Sequence, residues 1–183
     1  MPWSKIRAKL ENEYLAESLR GHIQYFATSY SKYPDHEGRA AVRLDGEEIL
    51  KGNYLDMVMV QYYAEKRIRA ENPELSYKEV CAKSRYAVLD EGEFDQRCFY
   101  AAFAEFDNQS IEDSLNSDNA LVRMFAVLDR RVGKRRLVKL ADRIESELEW
   151  LRAFYLIRLR AEGIKFNADG AEDNSPDNIS AEI

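Results

Sequence analysis

The sequence holds only two cysteines, two histidines, four prolines and eight glycines in 183 residues, and each scarcity removes a class of chemistry. Cys81 and Cys98 lie 17 positions apart, which gives neither a CxxC pair nor a disulfide framework and predicts two buried free thiols. His36-Glu37 begins like a zinc-binding HExxH, but Ala40 stands where the second ligand is required. The glycines are scattered singly, so there is no GxGxxG, no phosphate loop of the GxxxxGK[ST] type and no GxSxG elbow. The acidic run DNQSIEDSLNSD lacks the central Gly and terminal Glu of a calcium loop. No window comes near 18 consecutive apolar residues, and charges interrupt the opening MPWSKIRAKLENEYL. No catalytic residue, cofactor or metal is assigned from motifs, and a cytoplasmic protein with no membrane segment is expected.

Positive charge is also in deficit, with 27 Lys and Arg against 33 Asp and Glu for a net of −6, which gives the chain as a whole no electrostatic reason to seek nucleic acid. The deficit is uneven. Residues 90–119 carry a net of −8, residues 123–143 a net of +6 and residues 164–183 a net of −4. What the chain does contain is a globular complement, 45% hydrophobic and 11% aromatic, enough for one domain burying roughly 70% of its unfolded surface.

Periodicity predicts an α+β fold. Ile6, Leu10, Tyr14, Leu15 and Leu19 mark a helix over 4–19, with Ser4 as its cap. Residues 22–30 read as a strand, SKYPDHEG as a loop, and RAAVRL and EEILKG as a hairpin about Asp45-Gly46, completing a small three-stranded antiparallel sheet. Four or five helices follow. Asn53 caps one running to Ala70, stopped by Asn72-Pro73; Ser76 with Glu79 forms a capping box for one running to Leu89; EFDQRCFYAAFAEF forms a third, and Ser110 caps a short turn. A helix over 118–132 comes next, and the apolar stripe from Leu137 to Leu159 predicts a long C-terminal helix of about 25 residues, nearly 40 Å. Residues 1–163 are expected as a single domain and 164–183 as an acidic, disordered tail.

Two charged segments suggest binding surfaces. Arg130, Arg131, Lys134, Arg135 and Arg136, with Lys139 and Arg143 beyond, could gather about Gly133 as an anion or partner site at a helix N-terminus; internal pairing with the −8 block is the plainer expectation. Asp90, Glu91, Glu93 and Asp95 form an acidic docking candidate for a basic partner. A polar and aromatic cluster, His22, Tyr25, Thr28, Tyr30, His36, Glu37 and Arg39, or else the basic block 130–143, is the place for the alternative reading, an enzyme or a nucleotide- or phosphate-binding protein.

Several stretches resemble a family of short, uncharacterised bacterial cytoplasmic proteins. These open on a Trp-Ser-Lys-Leu helix, matched here by Trp3, Ser4 and Lys5 with Ile6 in place of Leu. They continue with a Thr-x-Tyr strand (Thr28, Tyr30) and a Gly-Arg strand with a DG turn (Gly38, Arg39, Asp45, Gly46). A late Asp-Arg-Arg-x-Gly-Lys-Arg segment corresponds to Asp129, Arg130, Arg131, Gly133, Lys134 and Arg135. The resemblance implies a bacterial source and one domain, and offers no catalytic residues to carry over. The expectation from size, acidity and missing catalytic motifs is a non-enzymatic interaction protein, immunity or antitoxin-like, that binds another protein of basic character; nucleic acid is disfavoured by the acidic block beside the basic one.

Overall fold

The computed structural model describes residues 1–29 and 38–165. The α+β architecture is as expected: a helical N-terminus, a three-stranded open antiparallel sheet and then a series of helices. Strands β1 (Ile23–Ser29), β2 (Gly38–Leu44) and β3 (Glu47–Asn53) lie in that order. Asp45 and Gly46 both take positive φ, 51° and 91°, the conformation a two-residue hairpin turn demands and the reason Gly follows Asp there. Alternation puts Ile23, Tyr25, Ala27, Ala40 and Val42 into the core. The opposite face carries Phe26, Arg39 and Arg43, the two guanidiniums lying over the Phe26 ring and pairing with Glu48. A shift in register between Val42 and Arg43 brings Glu48 opposite Arg43.

The helices start where capping chemistry starts them. Asn53 caps α2 (Tyr54–Glu71), Ser76 and Glu79 make the reciprocal box of α3 (Tyr77–Asp90), Asp95 caps α4 (Gln96–Asp107), Ser110 caps α5 (Ile111–Leu115) and Asn119 caps α6 (Ala120–Leu128). Helix α4 sits directly on the sheet. A Cβ at Gly52 would overlap the Phe94 carbonyl oxygen, and one at Gly38 would stand 2.7 Å from the Thr28 carbonyl oxygen, so both glycines are required by close approach of main chain. Phe94, Phe99, Phe106, Phe125 and Tyr25 interlock above the sheet, with Phe99 edge-on to Phe125 at 5.1 Å.

The first and last helices depart most from the spacing expected of them. The first, α1, spans Trp3–Ala8, continues as a π-helical turn over Lys9–Tyr14 and stops there; Glu17–Leu19 is a separate single turn. Pro2 rather than Ser4 occupies the N-cap. Leu15 leaves the helix because it forms a bridge with Asp129: Ala16 N–H donates to the Leu128 carbonyl at 2.9 Å, and Arg130 N–H to the Tyr14 carbonyl at 2.8 Å. These long-range bonds override the apolar spacing that predicted a helix to Leu19.

The long C-terminal helix is likewise divided, into α7 (Lys134–Ala141), a single turn at Ile144–Ser146 and α8 (Glu149–Ala161). Side chains stabilise the break. Ser146 Oγ donates to the Arg143 carbonyl, Arg152 donates to the carbonyls of Glu145 and Glu147, and the Glu147 carboxylate is drawn inward by Arg123 and the Tyr155 hydroxyl. The central packing element is therefore not the last helix but α6, in which every residue except Arg123 is buried. The expected loop over 31–38 falls outside the described residues except for Gly38, which starts β2, and the tail lies outside them from residue 166.

Candidate functional site

The Asp-Arg-Arg-x-Gly-Lys-Arg segment is first a structural device. Helix α6 ends at Leu128, short of the expected Val132, because Asp129 folds its carboxylate back onto its own chain. Asp129 is fully buried, and its Oδ1 accepts the Arg131 N–H at 2.6 Å while both oxygens hold the Arg131 guanidinium at 2.9–3.1 Å. That guanidinium lies over the rings of Tyr14 and Phe106, 5.0 and 5.3 Å from their centroids. Beneath it, the Tyr14 hydroxyl donates to Asp107 Oδ1 at 2.5 Å, and Lys9 Nζ reaches both oxygens at 2.7 and 2.9 Å. Burial and the bond to Asp107 push the Tyr14 phenol up to about 12. Burial alone would raise the Asp107 pKa, but the Lys9 and Tyr14 hydrogen bonds outweigh it and hold the carboxyl below its ordinary range.

The five basic candidates thus divide. Arg131 is held inward by Asp129; Arg136 faces Glu112 at 3.3 Å; Lys134 donates to the Glu162 carbonyl at 3.0 Å and stands 3.9 Å from its carboxylate. Arg130 and Arg135 are exposed, and like Lys139 they have no side-chain partner among the described residues. Two open grooves flank the start of α7. One, of about 600 Å³, is bordered by Ser18, Arg130, Lys134, Arg158 and Glu162. In it the buried Arg158 binds Ser18, Glu162 and the Val132 carbonyl. The other, of about 510 Å³, is lined by the basic side chains of α7.

The acidic candidates do not form one surface. Asp90 and Glu91 are exposed, with Glu91 3.7 Å from Arg67, and Glu93 is half-buried. Asp95 is turned inward, only 4% exposed, because its carboxylate caps α4 and accepts the Cys98 N–H at 2.8 Å; its place in the docking set is corrected accordingly. Burial raises the pKa of both Asp90 and Glu93, and the neighbouring Asp56 and Glu91 carboxylates raise Glu93 further.

The His and Arg cluster does not assemble among the described residues. His22 is exposed and pairs with Asp45 Oδ1 at 2.7 Å beside the hairpin turn, whereas Arg39 pairs with Thr28 at the far end of the same ladder, roughly 20 Å away at strand rise. Tyr25 points into the core, where burial raises its phenol pKa. Tyr30, His36 and Glu37 lie outside the described residues. Cys81 and Cys98 are free and half-buried rather than fully buried, and burial pushes the Cys98 thiol up to about 11. Among the described residues no three His, Cys, Asp or Glu side chains converge to hold a metal ion, and no helix is long and apolar enough to cross a membrane.

A feature that the sequence reading missed lies on α2. Met57, Ala64 and Ile68 turn inward toward α3, yet Leu55, Val58, Met59, Tyr62 and Tyr63 are exposed on the opposite side, Leu55 and Tyr63 at 61% each. At 100° per residue the two sets fall about 180° apart. The signal lies in two interleaved apolar spacings, 57-64-68 and 55-59-62, within the segment expected as a helix capped by Asn53. Leu55 and Asp56 share a depression of about 500 Å³ with Lys51 and Glu93, and Lys66 lies over the Tyr62 ring at 4.4 Å.

The chain belongs to the SF0329 protein family, whose model matches residues 2–159. No curated protein and no solved structure matches it.

Proposed function

We propose that this SF0329 family member is a non-enzymatic protein–protein interaction module whose docking element is the outer face of α2. The observation that carries the reading is the exposed stripe Leu55, Val58, Met59, Tyr62 and Tyr63, set opposite a complete inner face. An apolar stripe of this length on a helix with a second, buried face is what a partner-binding helix presents. Tyr and Met suit it, since both offer large contact areas that adapt to a partner.

The partner is a protein with an apolar element edged by cationic side chains. Asp56 and Glu93 share a depression with Leu55, and Glu91 lies close enough to raise the Glu93 pKa. Asp56, Glu91 and Glu93, with Lys51 and Arg39 in the same depression, give an incoming Lys or Arg carboxylates to meet at one end of the apolar stripe. Neutralisation of a basic partner, as an immunity or antitoxin-like protein does, is the concrete form that size and acidity support. The reading of His22 and Arg39 as one enzymatic site has no geometric support, because the hairpin holds them apart.

The test is a photoreactive side chain placed at Tyr62 and, as a control, at the exposed Lys78 of α3 in the full chain, irradiated in cells of the source. The expected result is a heterologous adduct from position 62 and none from 78, weakened about thirtyfold in the purified complex by Met59→Glu and weakened by Glu93→Lys. Equal adducts at both positions, no adduct, or an adduct of two copies of this chain overturns the proposal.

A further inference from the structure

The groove at the start of α7 is lined by Arg131, Gly133, Lys134, Arg135, Arg136 and Lys139. Five of these six residues are cationic and none is acidic. Within the fold Arg131 is neutralised by Asp129 and Arg136 by Glu112, while Lys134 lies within 3.9 Å of the Glu162 carboxylate. Arg135 and Lys139 have no counter-ion among the described residues. They stand four positions apart on one helix, the spacing at which like charges face and repel each other.

We infer that this groove binds a phosphoryl anion of the diphosphate class. The Arg135 guanidinium offers a planar fork that matches two phosphoryl oxygens, and Lys139, one turn away, supplies a point charge for a second phosphoryl group. One carboxylate would neutralise only one of them. Lys134 and Arg136 line the same groove, and Gly133, at the start of α7, lines it too and contributes no side-chain cap to the helix. The groove is open and shallow, with about 510 Å³ beside its cations, which suits a small, highly charged anion held by side-chain charge rather than by enclosure.

Calorimetric titration of the full chain with inorganic pyrophosphate at about 0.15 M salt, where surface attraction between distant charges is screened, tests the assignment. Saturable one-to-one binding is expected, tighter than for inorganic phosphate. Arg135→Glu with Lys139→Glu is expected to weaken it about tenfold or more, and Arg130→Glu, in the neighbouring groove, to leave it unchanged. If the reversed charges unfold the chain, Arg135→Gln with Lys139→Gln makes the same test. Absence of saturable binding, an equal loss in Arg130→Glu, phosphate binding as tightly as pyrophosphate, or an oligoglutamate peptide binding more tightly overturns the inference.

Discussion

Asp129→Ala tests whether the Asp129–Arg131 turn stabilises the junction between α6 and α7. The substitution removes the acceptor of the Arg131 N–H at 2.6 Å and both oxygens that hold the guanidinium. An amide left without its partner in a buried setting costs about 1–3 kcal/mol. The ion pair adds less than burial of Asp129 alone suggests, because the Arg131 side chain is 38% exposed and rehydrates; about 1 kcal/mol is its share. The guanidinium retains its stacking on Tyr14 and Phe106. The sum is about 2–4 kcal/mol, which at an m-value of about 2 kcal/mol/M moves the urea midpoint down by about 1–2 M with the slope unchanged. Asp129→Asn keeps an oxygen for the Arg131 N–H and is expected to cost less than half as much. Equilibrium urea unfolding followed by circular dichroism reads both variants. A midpoint for Asp129→Ala within about 0.2 M of the parent, or Asn as costly as Ala, refutes the reasoning.

Two further outcomes follow from the packing and the electrostatics. Gly52→Ala is expected to destabilise by about 1–3 kcal/mol in urea unfolding, since the added methyl overlaps the Phe94 carbonyl and stands 3.0 Å from its ring; a neutral effect refutes the close approach of β3 to the segment before α4. Asp107 and Glu162 both have lowered pKa values in the fold, Lys9 and Tyr14 outweighing burial at the first, Ser18 and Arg158 outweighing it at the second. Their stabilisation is complete above the ordinary carboxylate pKa and is lost as pH falls through the depressed values. Melting temperature against pH is therefore expected to fall below about pH 4, and more gently in Asp107→Asn; identical acid limbs refute the role given to Asp107.

The sequence disclosed local structure wherever a single side chain carries the local decision. Asp45-Gly46 turns the hairpin because two positive φ angles are needed there, and Ser76, Ser110 and Asn53 start helices because each satisfies an orphan amide within four residues. It failed where distant residues decide. A three-and-four spacing from Leu137 to Leu159 is the same for one helix and for two that turn about Ser146, since neither Gly nor Pro marks the break. Leu15 leaves its helix for a partner at Asp129 that no window around residue 15 contains. Within the site, the acidic run 90–95 looked uniform, yet Asp95 is a cap and Asp90 a surface group; only the start of α4 at Gln96 separates them. The basic run likewise held one residue, Arg131, whose partner two positions earlier accounts for it. The outer face of α2 was hidden because two apolar stripes on opposite sides of a helix leave little amphipathic contrast.

The bridge between Leu15 and Asp129 also sets an order of events during synthesis. More than a hundred residues separate its two sides, and a ribosome adding about 5–20 residues per second leaves the first side waiting roughly 6–23 s for the second. Through that interval Ile6 and Leu10, which end up in the same core as α6, have no finished surface to bury against. The nascent chain therefore exposes an apolar amino-terminal segment until α6 has emerged, and that interval is when a chaperone has most to gain by holding it.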